Sequence, residues 1–166
     1  GGFYTTEDYR ALVEYAADRH ITIVPEIDLP GHTNAALASV PAINCDGVAP
    51  PLYTGIEVGF STVCVDRQAT YDFVDAVVAH LATLTPGPWI HLGGDEVEEL
   101  SDEEYRDFIE AVEAIVHRHG KVMVGWQEVA AAELQPSTVV QHWHGTGEDL
   151  AASVPGQVIL SPAAHV

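Results

Sequence analysis

Two adjacent carboxylates, Asp95 and Glu96, follow a glycine pair in the run His91-Leu92-Gly93-Gly94-Asp95-Glu96, directly after the apolar Trp89-Ile90. Neighbouring carboxylates repel, so one of them tends to hold a proton towards neutrality and can act as a general acid. Its ionised neighbour can then stabilise developing positive charge. Gly93 and Gly94 suit a tight turn or a close approach to a ligand, and Trp89 to Leu92 reads as a strand packed in a core. In a chain this acidic the competing reading is a solvated turn. The buried strand and the glycines favour a site.

Other polar groups with chemical potential also follow apolar runs. Ile21-Thr22-Ile23-Val24 reads as a buried strand leading into Glu26-Ile27-Asp28-Leu29-Pro30-Gly31-His32. Lys121 to Gly125 reads as a strand carrying Trp126-Gln127-Glu128 at its end, and Thr138 to Trp143 as another, with His144 just beyond. His142 and His144 form a His-x-His pair that ligates zinc only if both side chains leave the same face. No further ligands follow at a clear spacing, so no metal and no cofactor is expected.

The elements that must position these groups alternate. Thr5 or Thr6 caps a helix to about Arg19, with Tyr9, Leu12, Val13 and Ala16 on its apolar face. A second helix runs from Gln68 to Leu84. A third starts at Ser101, with Glu104 as capping-box partner, and reaches about His117. Gln157 to Leu160 supplies a fifth strand. Strands alternating with helices predict a parallel α/β arrangement. The functional-looking residues cluster after the strands, at the carboxyl ends where a (β/α)8 TIM barrel keeps its chemistry. A whole barrel needs about 250 residues, and this chain has 166. It reads as one partial barrel domain spanning the whole chain, with a long loop at about 40–65.

Composition narrows the partners. The 25 Asp plus Glu outnumber 6 Lys plus Arg for a formal charge of -19, which disfavours nucleic acid and anionic membrane surfaces. No apolar run approaches a membrane span. Cys45 and Cys64 fall in the long loop. A disulfide between them suits a secreted or extracytoplasmic protein, and two reduced thiols suit a cytoplasmic one.

Taken together, Gly2 to His32 with its Pro25-Glu26-Ile27-Asp28-Leu29-Pro30-Gly31-His32 motif, His91 to Val97, Gly125-Trp126-Gln127-Glu128 and Gln141-His142-Trp143 resemble glycoside hydrolase family 20, the β-N-acetylhexosaminidases. The similarity covers essentially the whole chain, from the helix before the third barrel strand to about the seventh strand. It implies a hydrolase acting by substrate-assisted, retaining hydrolysis of terminal β-linked N-acetylglucosamine or N-acetylgalactosamine. The implied partner is an oligosaccharide or glycoconjugate carrying such a sugar, as in chitin or glycan degradation. By resemblance, Glu96 is the general acid and base, and Asp95 orients the 2-acetamido group. Trp126 and Trp143 line the sugar pocket, while Asp28, His32 and His91 support it. His32 is expected to bond a carboxylate outside this chain and to tune Glu96. Two other classes remain open: a non-catalytic carbohydrate-binding protein, and a metal-dependent TIM-barrel hydrolase using His142, His144 and Asp95. Neither oligomeric state nor preference between gluco and galacto sugars is legible.

Overall fold

The computed structural model describes residues 2–145 and 148–162. Helix α1 (Thr6–Ala17) starts at a full capping box. Thr5 Oγ1 accepts from the Asp8 amide, and the Asp8 carboxylate accepts from the Thr5 amide. Val13 and Ala16 are its buried residues. His20, at φ 58°, turns the chain out of the helix.

The extended segment after α1 differs from the expected buried strand. Ile21 is 56 % and Val24 41 % exposed, and the single bridge in this region pairs Glu26 with His91. The His91 amide donates to Pro25 O, the Ile27 amide to His91 O and the Leu29 amide to Leu92 O. Pro25 has no N–H to continue the ladder backwards, so pairing begins there rather than in the β-branched run.

Four strands form the regular sheet, where the sequence led us to expect five: β1 (Trp89–His91), β2 (Val122–Trp126), β3 (Val139–His142) and β4 (Gln157–Leu160). All pair parallel, in chain order β1-β2-β3-β4. Helices α3 (Gln68–Leu84) and α4 (Asp102–Arg118) cover one face. Val74 and Val78 of α3, and Phe108, Val112 and Val116 of α4, share a core with Ile90, Met123 and Val140 of the strands. Each such side chain stabilises the fold by roughly 1.5–3 kcal/mol relative to exposure. Ser101 caps α4 with Glu104 as its reciprocal partner.

The connections vary more than the sequence suggests. A 3-10 turn (Gln127–Ala131) replaces a helix between β2 and β3. Buried Glu113 of α4 fixes that crossover by accepting from the Gln135 amide and the Thr138 hydroxyl. A short α5 (Glu148–Ser153) joins β3 to β4. The long loop follows α2 (Asn34–Ser39) and opens with a 3-10 turn (Pro41–Ile43), and a disulfide joins Cys45 to Cys64.

Strand residues that alternate with the core set face the other way. Glu26, Trp89, His91, Trp126, Gln141 and Ile159 line a concave hollow of about 670 Å³. Parallel strands in chain order, with helices outside and a concave inner face, make a partial (β/α)8 barrel.

Candidate active site

The turn after β1 is built around backbone that few side chains tolerate. Gly93 and Gly94 have φ of 69° and 104°, and Glu96 has φ 52°. A non-glycine residue there is uncommon and costs conformational energy, so its neighbours must hold it. Four contacts fix the two glycines that lead into it. The Trp126 amide donates to Gly93 O at 2.8 Å and Tyr105 Oη to Gly94 O at 2.6 Å. The Gly93 amide donates to His91 Nδ1 at 3.0 Å, and the Gly94 amide to Asp28 Oδ1 at 3.3 Å. On the facing turn His32 is also left-handed, at φ 56°. The two turns meet at Gly31, where a Cβ would lie at ordinary contact distance, 3.4 Å, from the Asp95 carbonyl oxygen.

This meeting places one imidazole among three carboxyl groups. His32 Nε2 lies 3.3 Å from Glu96 Oε2, 3.4 Å from Asp95 Oδ2 and 3.9 Å from Asp28 Oδ2. His32 thus contacts Glu96 and Asp95 directly, in addition to any contact outside the chain. Asp95 Oδ1 is buried and has no hydrogen-bond partner among the described residues. The carboxyl pushed upward is Asp28, which the sequence marks only as support. Burial first, and then the charge of Asp95, raises it to about 7, against the pull of His32 and the Gly94 amide. Such a group can hold a proton beside an ionised neighbour.

A second layer lies below. His91 is buried, and burial pushes its imidazole downward despite Glu26 and Asp95, keeping it neutral near pH 7. Its ring meets Trp126 edge-on at 4.9 Å. Trp126 Nε1 donates to Glu26 Oε1 at 3.1 Å. Trp143 is held from the turn after β2: its Nε1 donates to Glu128 at 3.2 Å and its amide to Gln127 Oε1 at 3.1 Å.

Tyr105, Gln127 and Glu128 are therefore site-shaping residues that sequence reading did not single out. Gln127 and Glu128 sit in the motif beside Trp126, and that adjacency was the available signal. Tyr105 carries none, because its role depends on α4 crossing behind the turn.

Among the described residues, the three-residue group with metal-ligand chemistry is Asp28, His32 and Asp95, whose ligand-type atoms lie within 4.8 Å of one another. The His142, His144 and Asp95 set of the metal-dependent alternative is not assembled. His142 is buried, whereas His144 is exposed and pairs with Gln127 and Glu128.

Comparison with known proteins gives a consistent result. Residues 1–104 match the model described as glycosyl hydrolase family 20, catalytic domain. A β-N-acetylhexosaminidase of Cellulomonas fimi is 39 % identical over 169 residues, covering 99 % of this chain and 34 % of its own length. The solved GH20 β-N-acetylhexosaminidase of Streptomyces coelicolor A3(2) superposes with a TM-score of 0.92 at 51 % identity, over 98 % of this chain and 35 % of that one. The Streptomyces plicatus N-acetyl-β-hexosaminidase, solved with Thio-NAglucal, gives 0.92 and 51 % over 98 % and 34 %. The chain spans about a third of the length of these relatives.

Proposed function

The chain belongs to glycosyl hydrolase family 20, and from that premise we propose that the protein containing it removes terminal β-linked N-acetylhexosamine by substrate-assisted, retaining hydrolysis. Its substrates are then oligosaccharides or glycoconjugates ending in N-acetylglucosamine or N-acetylgalactosamine. The observation that carries this reading is the buried oxygen of Asp95, adjacent to Glu96, that has no donor among the described residues. A buried carboxylate oxygen is costly until a ligand supplies an N–H, and the sugar's 2-acetamido group has one to give.

In this mechanism Asp95 accepts the acetamido N–H and turns the acetamido oxygen towards the anomeric carbon. That oxygen forms a bond to the anomeric carbon as the glycosidic bond breaks, and Glu96 delivers its proton to the departing oxygen. The resulting oxazolinium is positively charged, and ionised Asp95 stabilises it. Water then attacks the anomeric carbon, Glu96 takes its proton, and the ring opens with retained configuration. Trp126 and Trp143 exclude water from the reacting amide and hold the sugar. His32 positions Glu96 and Asp95, and Asp28 carries a proton so that Asp95 can remain charged. The disulfide supports an exported enzyme, secreted or extracytoplasmic.

Hydrolysis of a chromogenic β-N-acetylglucosaminide by the full-length protein and by this chain, side by side with a chelator present, tests the reading. Turnover by the full-length protein is the expected result, with the isolated chain, which spans about a third of its relatives' length, much slower. A folded full-length protein that binds the sugar without turnover would replace the enzyme with a carbohydrate-binding protein.

A further inference from the structure

Glu26 stands in the lining of the hollow beside Trp126 and His91. It comes from the extended segment bridged to β1, opposite His91, and its side chain lines the concave hollow. Glu26 Oε1 accepts the Trp126 indole N–H at 3.1 Å and lies 3.5 Å from His91 Nδ1. His91 Nδ1 already accepts the Gly93 amide at 3.0 Å. In neutral His91 the proton is therefore on Nε2, and Nδ1 has none to give the carboxylate. Among the described residues the indole N–H is thus the hydrogen-bond donor that holds Glu26 Oε1 in this position. The indole is fixed on two sides, by Glu26 at its N–H and by the His91 ring at 4.9 Å.

Resting on the reading of Trp126 as a wall of the acetamido pocket, we propose that Glu26 is a positioning residue that sets the plane of the Trp126 indole and so selects for the small N-acetyl group. Glu26 acts through its acceptor oxygen on the indole N–H. A loosened indole holds the reacting amide less well and admits bulkier acyl groups.

The test uses the full-length protein with paired N-acetyl and N-propionyl glucosaminides. Glu26→Leu should lower kcat/KM for the N-acetyl substrate about tenfold, the loss expected for one charge-assisted hydrogen bond. The preference for N-acetyl over N-propionyl should narrow as well, which a general loss of folded protein would not cause. Glu26→Gln keeps an acceptor oxygen and should restore most of both. In a Trp126→Phe background, which has no indole N–H, Glu26→Leu should add no further loss. Equal damage from Glu26→Gln and Glu26→Leu, or an undiminished effect of Glu26→Leu in the Trp126→Phe background, would overturn the proposal. Should Glu26→Leu fail to fold, Glu26→Gln carries the test alone: less than about a tenth of wild-type kcat/KM overturns it. Wild-type turnover is read first. A folded wild type inactive on the N-acetyl substrate refutes the hexosaminidase reading itself, and the Glu26 proposal falls with it.

Discussion

The Asp28 carboxylate occupies the space that any side chain on Gly93 would need: a Cβ at position 93 would overlap Asp28 Oδ1. The same carboxylate accepts the amide of Gly94. One acid thus shapes the turn that presents the adjacent pair.

Gly93→Ala should therefore displace both turns. The left-handed backbone alone costs alanine about 1–2 kcal/mol, and relieving the overlap adds to it. The expected outcome is a lower thermal midpoint together with severe loss of turnover in the full-length protein. Unchanged melting and kinetics would show that the turn has room the structure does not display.

Asp28 should also leave a signature in the pH dependence of stability. Its carboxyl is raised to about 7 in the fold, against about 3.9 in an unfolded chain. The folded form keeps a proton that the unfolded form releases. The contribution is thus fully present below about pH 4, declines as pH rises, and is lost above about 7. Asp28→Asn cannot ionise, so urea midpoints measured across that range should decline less than those of the wild type. His91 works in the opposite sense. Its lowered imidazole favours the fold above the unfolded value of about 6.5, and that stabilisation is lost as pH falls through the folded value. His91→Asn should remove that acid-side loss.

At the reacting centre, Glu96→Gln in the full-length protein should cut turnover by roughly 10²–10⁴ through loss of general acid catalysis. Asp95→Asn should impair it strongly as well, because a neutral amide balances oxazolinium charge poorly. Steady-state kinetics on the N-acetyl substrate decide the matter, and near-wild-type rates from both variants would sink the assignment.

Much of this arrangement was legible from patterning. The Thr5 and Ser101 caps, the span of α3 and the four laddered strands follow from local spacing, as does the placement of Asp95 and Glu96 after β1. The β-branched run at Ile21 to Val24 misled because strand propensity does not supply a pairing partner, and Pro25 withholds the donor that a ladder needs. The contact of His32 with Glu96 and the proton affinity of Asp28 depend on two turns far apart in sequence. Spacing cannot encode that meeting. Tyr105 was invisible for the same reason, since its partner is a backbone oxygen on another element.

The Cys45–Cys64 link is expected to stabilise the chain by about 3 kcal/mol in the chain-entropy model. A Cys45→Ser, Cys64→Ser double variant should melt at lower temperature, and reductant should lower the wild-type midpoint while leaving the variant unchanged. Thermal scans with and without reductant provide the comparison.

The stretch between His32 and Trp89 leaves one extended segment and returns to its immediate neighbour, with the disulfide and α3 along the way. Its outermost part exposes Val48, Leu52, Ile56 and Val58. Because its two ends are held by the paired backbone of Ile27, Leu29, His91 and Leu92, lengthening or shortening that excursion adds little loop-closure cost. The length of this excursion can consequently change while the groups anchored at its two ends keep their places.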